Sequence, residues 1–106
     1  MEEENIILQK SYSSALDIIK TYKHLRFRQK EYELSKQLLR SGTSIGANVE
    51  EADAAPTKKD FANKMSIASK ECKESHYWIR LLRDSDFLEN EKAEPLLDEC
   101  TQIKRI

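Results

Sequence analysis

Apolar residues recur along this chain at alternating intervals of four and three, the period of helices that bury one face. In the first quarter Leu8, Tyr12, Ala15, Ile19 and Tyr22 keep that spacing, and Leu16, Ile18 and Leu25 widen the stripe. They predict a helix over about 5–27. The polar stretch Arg28-Gln29-Lys30 then makes a link too short for anything but an antiparallel neighbour.

Leu34, Leu38, Ser41, Ile45, Val49 and Ala52 hold the helical phase through a second element, predicted over about 31–54. Its middle contains Gly42 and Gly46, each costing about 1 kcal/mol in a helix relative to Ala. A break is the alternative, with Gly42 closing one helix and Thr43 or Ser44 capping the next. Unbroken phase across the segment favours one continuous helix. Gly42 and Gly46 then lie on one face with Ser41 and Ala47 beside it, a flat strip that lets another backbone come close. Two readings stay open for the strip and its surroundings, Ser41, Gly42, Ile45, Gly46, Val49, Glu50 and Glu51. It is either packing inside one bundle or an interface between subunits.

Ala55-Pro56-Thr57 ends the second element, and Thr57 with Asp60 resembles a capping box with Asp in place of Glu. Phe61, Met65, Ala68, Cys72, Ser75, Ile79 and Leu82 form an unbroken seam, flanked by Tyr77, Trp78 and Leu81, in a third helix over about 58–83. Asp84-Ser85-Asp86 offers a turn and an N-cap for a fourth helix over about 88–105, carried by Leu96, Leu97, Cys100 and Ile103. Pro95 fits that helix only in its first turn or at a restart. The apolar pattern still runs at Ile106, so this last helix reads as short. Four antiparallel helices in one domain over 1–106 make an all-α, up-and-down four-helix bundle.

Composition agrees: 35% of the 106 residues are charged, and there are only 2 Gly and 2 Pro. Eighteen basic against 19 acidic residues give a net charge of −1, which removes any global attraction to nucleic acid or membrane. No apolar run reaches the ~20 residues of a membrane span. Met1-Glu2-Glu3-Glu4 is the opposite of a signal peptide's basic start, so a cytoplasmic location is expected. Cys72 and Cys100 accordingly read as reduced core thiols.

Catalytic equipment is not recognisable. Thr21 and Lys73 stand where a carboxylate-bridged dimetal bundle would need Glu before His24 and His76. Cys72 and His76 are four apart and Cys100 could join them, yet a zinc site lacks a fourth ligand. Ser41, Thr43 and Ser44 have no obvious base, and neither glycine belongs to a phosphate loop. The expectation is a protein that is not an enzyme, with no metal, no cofactor and no small-molecule substrate. Two charge features remain. Lys20, Lys23, Arg26, Arg28 and Lys30, with His24 and no acid between them, form a candidate polyanion site that Arg80 and Arg83 could extend. Glu50, Glu51 and Asp53 crowd a helix C-terminus, against its dipole, where Lys58, Lys59 or Lys64 could neutralise them.

The run from Tyr32-Glu33-Leu34-Ser35-Lys36 through Arg40-Ser41-Gly42-Thr43-Ser44-Ile45-Gly46-Ala47-Asn48-Val49-Glu50-Glu51-Ala52 resembles a known bacterial family of four-helix bundles. That family is named for reading frames within intervening sequences of large-subunit ribosomal RNA genes. Asp60-Phe61, Lys64, Ala68-Ser69-Lys70-Glu71-Cys72-Lys73-Glu74-Ser75 and Tyr77-Trp78-Ile79-Arg80-Leu81-Leu82 fit its second block. The resemblance implies a homopentameric ring. It also implies kinship with the accessory variability determinant (Avd) of diversity-generating retroelements, a basic pentamer that binds a reverse transcriptase and nucleic acid. Unlike Avd, this chain is slightly acidic. The expected role is a non-catalytic oligomeric adaptor acting with RNA, DNA or a ribonucleoprotein. The alternative is a bundle whose partner is another protein.

Overall fold

A computed structural model describes the backbone of residues 2–105 and the side chains of residues 6–104. Four helices follow in order: α1 (Glu2–Phe27), α2 (Leu34–Asp53), α3 (Lys58–Asp84) and α4 (Asn90–Arg105). Each packs against its two neighbours in an antiparallel ring 43 × 22 × 18 Å in extent, the α2–α3 seam being the most extensive and α1–α4 the least. Among the described residues no helix is long and apolar enough to cross a membrane. Ile106, where the apolar pattern still runs, lies outside them.

The α2 and α3 seams pack as their spacing predicts from Leu38 and from Ala68 onward, whereas Phe61 is exposed and Leu34 and Met65 are half-buried. Leu38, Ser41, Ile45, Val49 and Ala52 on α2 face Ala68, Cys72, Ser75, Ile79 and Leu82 on α3, all buried. Full burial of each large aliphatic side chain contributes about 1.5–3 kcal/mol. At the centre Ser75 Oγ donates to Ser41 Oγ at 2.8 Å, so the two buried hydroxyls satisfy each other. Around them Arg40 binds Glu71 at 3.2 Å and also Glu74, whose carboxylate accepts from Trp78 Nε1 at 3.1 Å. α2 runs unbroken through Gly42 and Gly46.

On α1 the buried stripe is not the one the apolar spacing suggests. Ile18 and Leu25, which widen the predicted stripe, are buried, but the rest of the core face is Ile7, Ser11 and Ser14, one position before the predicted Leu8, Tyr12 and Ala15. The reason is the glycine strip. A Cβ on Gly42 would sit 2.7 Å from Ile18 Cγ2, and one on Gly46 would sit 3.4 Å from the Ser11 carbonyl oxygen. α1 therefore turns its small Ser11 and Ser14 inward so that it can approach α2 closely.

Helix ends differ from the predicted ones where capping decides them. α2 begins at Leu34 rather than Glu31 because Glu31 acts as its cap. Its buried carboxylate accepts from the backbone N–H groups of Glu33, Leu34 and Ser35 at 2.7–2.9 Å, while Ser35 Oγ donates to its carbonyl at 2.7 Å. These contacts take up donors that a helix start leaves orphaned. Lys30, just before it, has a left-handed φ of 58°. Thr57 caps α3 as predicted, accepting from the Asp60 N–H at 3.1 Å, and its hydroxyl donates to the Asp60 carboxylate at 2.8 Å.

Asp86 does not cap α4. With φ 68° it closes α3: its N–H reaches the Arg83 carbonyl at 3.1 Å, and the N–H of Phe87 reaches Leu82 at 2.9 Å. That pair of bonds is the left-handed helix terminus usually given to glycine. α4 starts instead on the Glu89 carbonyl, which accepts from Lys92 and Ala93 at 3.0 and 2.9 Å. Pro95 lies inside α4, beyond the first turn. It removes a donor that the Glu91 carbonyl would otherwise receive, on a side of the helix that is exposed to water.

Candidate functional site

The register of α1 leaves an apolar stripe outside the core. Tyr12 and Leu16 are 65% and 51% exposed, Ala15, Ile19 and Tyr22 beside them are half-buried, and Leu8, half-buried too, packs back against the core. At 100° per residue these six positions occupy one flank of α1, and Lys23 and Arg26 continue it toward the helix end. A surface stripe of this kind on a small chain marks an interaction site more often than chance exposure.

The basic residues gather at the same end of the bundle. Lys20, Lys23, Arg28 and Lys30 are exposed. Arg26 is held between rings, its guanidinium carbon 5.2 Å from the Tyr32 centroid and 5.8 Å from that of Phe27. Arg80 and Arg83 do not extend the group. Arg83 is engaged by Asp84 at 2.9 Å and by Glu94 at 3.5 Å, and its hydrogen bond holds the Asp84 carboxyl below the usual carboxylate range. Arg80 turns to the α3–α4 face, where its Nε donates to His76 Nδ1 at 3.0 Å.

Of the strip read from α2, Ser41, Gly42, Ile45, Gly46 and Val49 are buried within the chain itself, against α1 and α3. Packing inside the bundle accounts for them. Glu50 and Glu51 are exposed, and Lys64 binds Glu51 at 2.8 Å across the α2–α3 end, one of the neutralisations the sequence suggests.

Cys72, His76 and Cys100 do meet, lining a groove between α3 and α4. Among the described residues, however, no group of three or more His, Cys, Asp and Glu could hold a metal ion. Both cysteines are free and buried, and burial is the main cause that pushes their thiols up to about 11 and about 12. They behave as small apolar core residues rather than as nucleophiles.

One feature has no trace in the spacing of the sequence. Across the thin α1–α4 seam Glu99 meets Asp17. Burial first, then the Asp17 carboxyl, pushes Glu99 up to about 7, with the Ser14 hydroxyl acting the other way. Glu99 Oε2 is buried, and among the described residues no donor reaches it. Protonation of Glu99, which this shift favours, removes the repulsion between the two carboxyl groups.

These observations define an all-α antiparallel four-helix bundle with an apolar flank, a basic end and a groove between α3 and α4. The chain belongs to the 23S rRNA-intervening sequence protein family, whose model matches residues 3–106. It is similar over its length to a solved structure from Bacteroides thetaiotaomicron VPI-5482, described as a protein of unknown function from the S23 ribosomal protein family. The two are 43% identical, with 93% of this chain and 92% of that chain covered and a TM-score of 0.92. No curated protein matches.

Proposed function

We propose that this protein is a non-catalytic adaptor that assembles with copies of itself and presents its basic ends to RNA, DNA or a ribonucleoprotein. The observation that carries the reading is the outward stripe on α1. Tyr12 and Leu16 expose large apolar surface that the bundle's own core does not need, and the neighbouring positions lengthen it along the helix axis. Covering such a stripe with a second copy removes apolar area from water at about 25 cal/mol per Å². The resemblance to ring-forming relatives gives five as the expected number of copies. Lys20, Lys23, Arg28 and Lys30 lie toward the end of that stripe, so assembly multiplies a local positive patch that one slightly acidic copy presents only once. The family's connection with ribosomal RNA genes supports a nucleic-acid context.

Light scattering tests the assembly. The expected mass is about five times the 12.4 kDa protomer. Tyr12→Glu with Leu16→Glu should reduce it to one protomer while helicity is retained. A monomeric mass for the unaltered chain refutes self-assembly and returns the stripe to a heterologous protein partner. Anisotropy titrations with short single-stranded RNA over a range of salt test the other half. Binding that weakens with salt and is lost on Lys20→Glu, Lys23→Glu and Arg28→Glu is expected. An absence of binding at low salt refutes the nucleic-acid role.

A further inference from the structure

We infer that the groove between α3 and α4 is a binding site for a compact phosphate-bearing anion. The groove has a volume of about 510 Å³, inside the range of small-ligand sites. Lys73, His76 and Arg80 line one wall at i, i+3 and i+7 of α3, and Thr101 and Lys104 line the other at i and i+3 of α4. The buried thiols of Cys72 and Cys100 form the floor. Three permanent cations therefore converge on one concavity, and among the described residues no carboxylate lines it. On α3, Glu71 and Glu74 are both engaged by Arg40 on the α2 side.

Arg80 is set in place for such a ligand. Its Nε donates to His76 Nδ1 at 3.0 Å, and its guanidinium carbon lies 5.8 Å from the Tyr77 ring centroid. These contacts use Nε and one face of the group. Among the described residues the two terminal NH2 groups reach no protein acceptor, nor does Lys73 or Lys104 enter an ion pair. A guanidinium so held presents two parallel donors to a phosphate with little further ordering cost. Among the described residues the lining has no Phe, Tyr or Trp ring on which a base could stack, so the charges select phosphate and leave the remainder of the ligand to shape.

His76 reports on the site. Burial first, then the charges of Arg80, Arg83 and Lys104, hold it below the ordinary histidine range. A bound dianion changes the charge around the ring, so the His76 resonances report occupancy while its Nδ1 goes on accepting from Arg80. The groups around His76 are Lys73, Arg80, Arg83 and Cys72 on its own helix, and Cys100 and Lys104 on α4.

The proposal needs neither assembly nor nucleic acid, and a titration of the full chain with pyrophosphate, followed by NMR of the His76 ring, tests it apart from both. Saturable shifts of the His76 ring resonances are expected, the ring staying neutral as the acceptor of the Arg80 Nε–H. Lys73→Gln and Arg80→Gln should each weaken binding about ten-fold, while Lys23→Gln at the basic end should leave it unchanged. Ribose 5-phosphate in place of pyrophosphate distinguishes a monophosphate ligand from a diphosphate. Shifts that stay linear to about 10 mM overturn the proposal, as does equal weakening by Lys23→Gln. Single-stranded RNA that binds through Lys73 and Arg80 when pyrophosphate does not also overturns it, making the groove a contact for a polymer backbone.

Discussion

The backbone of Gly42 lies directly against the side chain of Ile18, with room for nothing larger than hydrogen: a Cβ there would meet Ile18 Cγ2 at 2.7 Å and Cγ1 at 2.9 Å. Ile18 is 1% exposed and β-branched, so it has little freedom to retreat. Gly42→Ala should therefore destabilise the protein by roughly 1–2 kcal/mol, overpacking outweighing the better helix propensity of Ala. Gly46 provides the contrast, because its Cβ would make ordinary contact with the Ser11 carbonyl at 3.4 Å. Gly46→Ala should be neutral or stabilise by up to about 1 kcal/mol. Urea melts of the two variants separate these outcomes. If Gly42→Ala is the more stable of the two, the close approach of α1 and α2 is misjudged.

The carboxyl pair of the α1–α4 seam predicts a slope of stability with pH. Glu99 has a folded-state pKa raised from 4.5 to about 7, so the folded protein binds its proton more tightly than the unfolded chain does. The stabilisation from that proton is complete below about pH 4.5 and is lost as pH rises through about 7. Glu99→Gln keeps the shape without the charge. It should raise stability at pH 8 by on the order of 1 kcal/mol, allowing for partial solvent screening, and change little at pH 4. Thermal melts of both proteins at the two pH values check the sign. A Glu99→Gln gain that is the same at both would remove the titration as its cause.

Ser41 and Ser75 make a test of paired polar burial. Ser75→Ala removes the hydroxyl that donates to Ser41 at 2.8 Å in a seam with no exposure, and should cost about 1 kcal/mol. The double variant Ser41→Ala, Ser75→Ala should cost less than the two single variants added together, because Ser41→Ala alone takes away the acceptor of the Ser75 hydroxyl. A double-mutant cycle by chemical denaturation reads the coupling. Strict additivity would mean the two hydroxyls do not depend on each other.

At the start of α2, Glu31→Ala withdraws an acceptor from three backbone N–H groups at once. A loss of about 1–2 kcal/mol is expected, at the upper end for a cap. Amide exchange localises it: Glu33, Leu34 and Ser35 should lose protection while Val49 at the other end keeps its own. Uniform loss along α2 would point to a general packing defect instead.

The sequence and the structure agree best where packing is governed by apolar volume. The α3 seam from Ala68 to Leu82 is legible residue by residue because each turn places one residue of the 4-3 pattern on the core face. Continuity of α2 through two glycines is legible from phase alone. On α1 the same rule misleads, because Ser11 and Ser14 look like surface residues and are selected for the core by size, displacing the more apolar Tyr12 and Leu16 outward. Glu31 escapes notice as a cap because the short polar side chains are the usual ones there. Of the candidate sites, the basic residues from Lys20 to Lys30 are visible as a run along the chain, apart from the diversion of Arg80 and Arg83. Asp17 with Glu99, and Lys73 with Lys104, come from different helices, and only the antiparallel return of the chain brings them together.

Five serines are buried in the interior: Ser11, Ser14, Ser35, Ser41 and Ser75. With two glycines beside them they draw the helices together, and the volume enclosed by a lone copy shrinks accordingly. Grease that a wider bundle would keep inside is carried on the outer flank of α1 instead. Under the proposed assembly part of the folding free energy is then lent by neighbours, and dilution acts as a denaturant: the melting temperature climbs with protein concentration, as mass action requires.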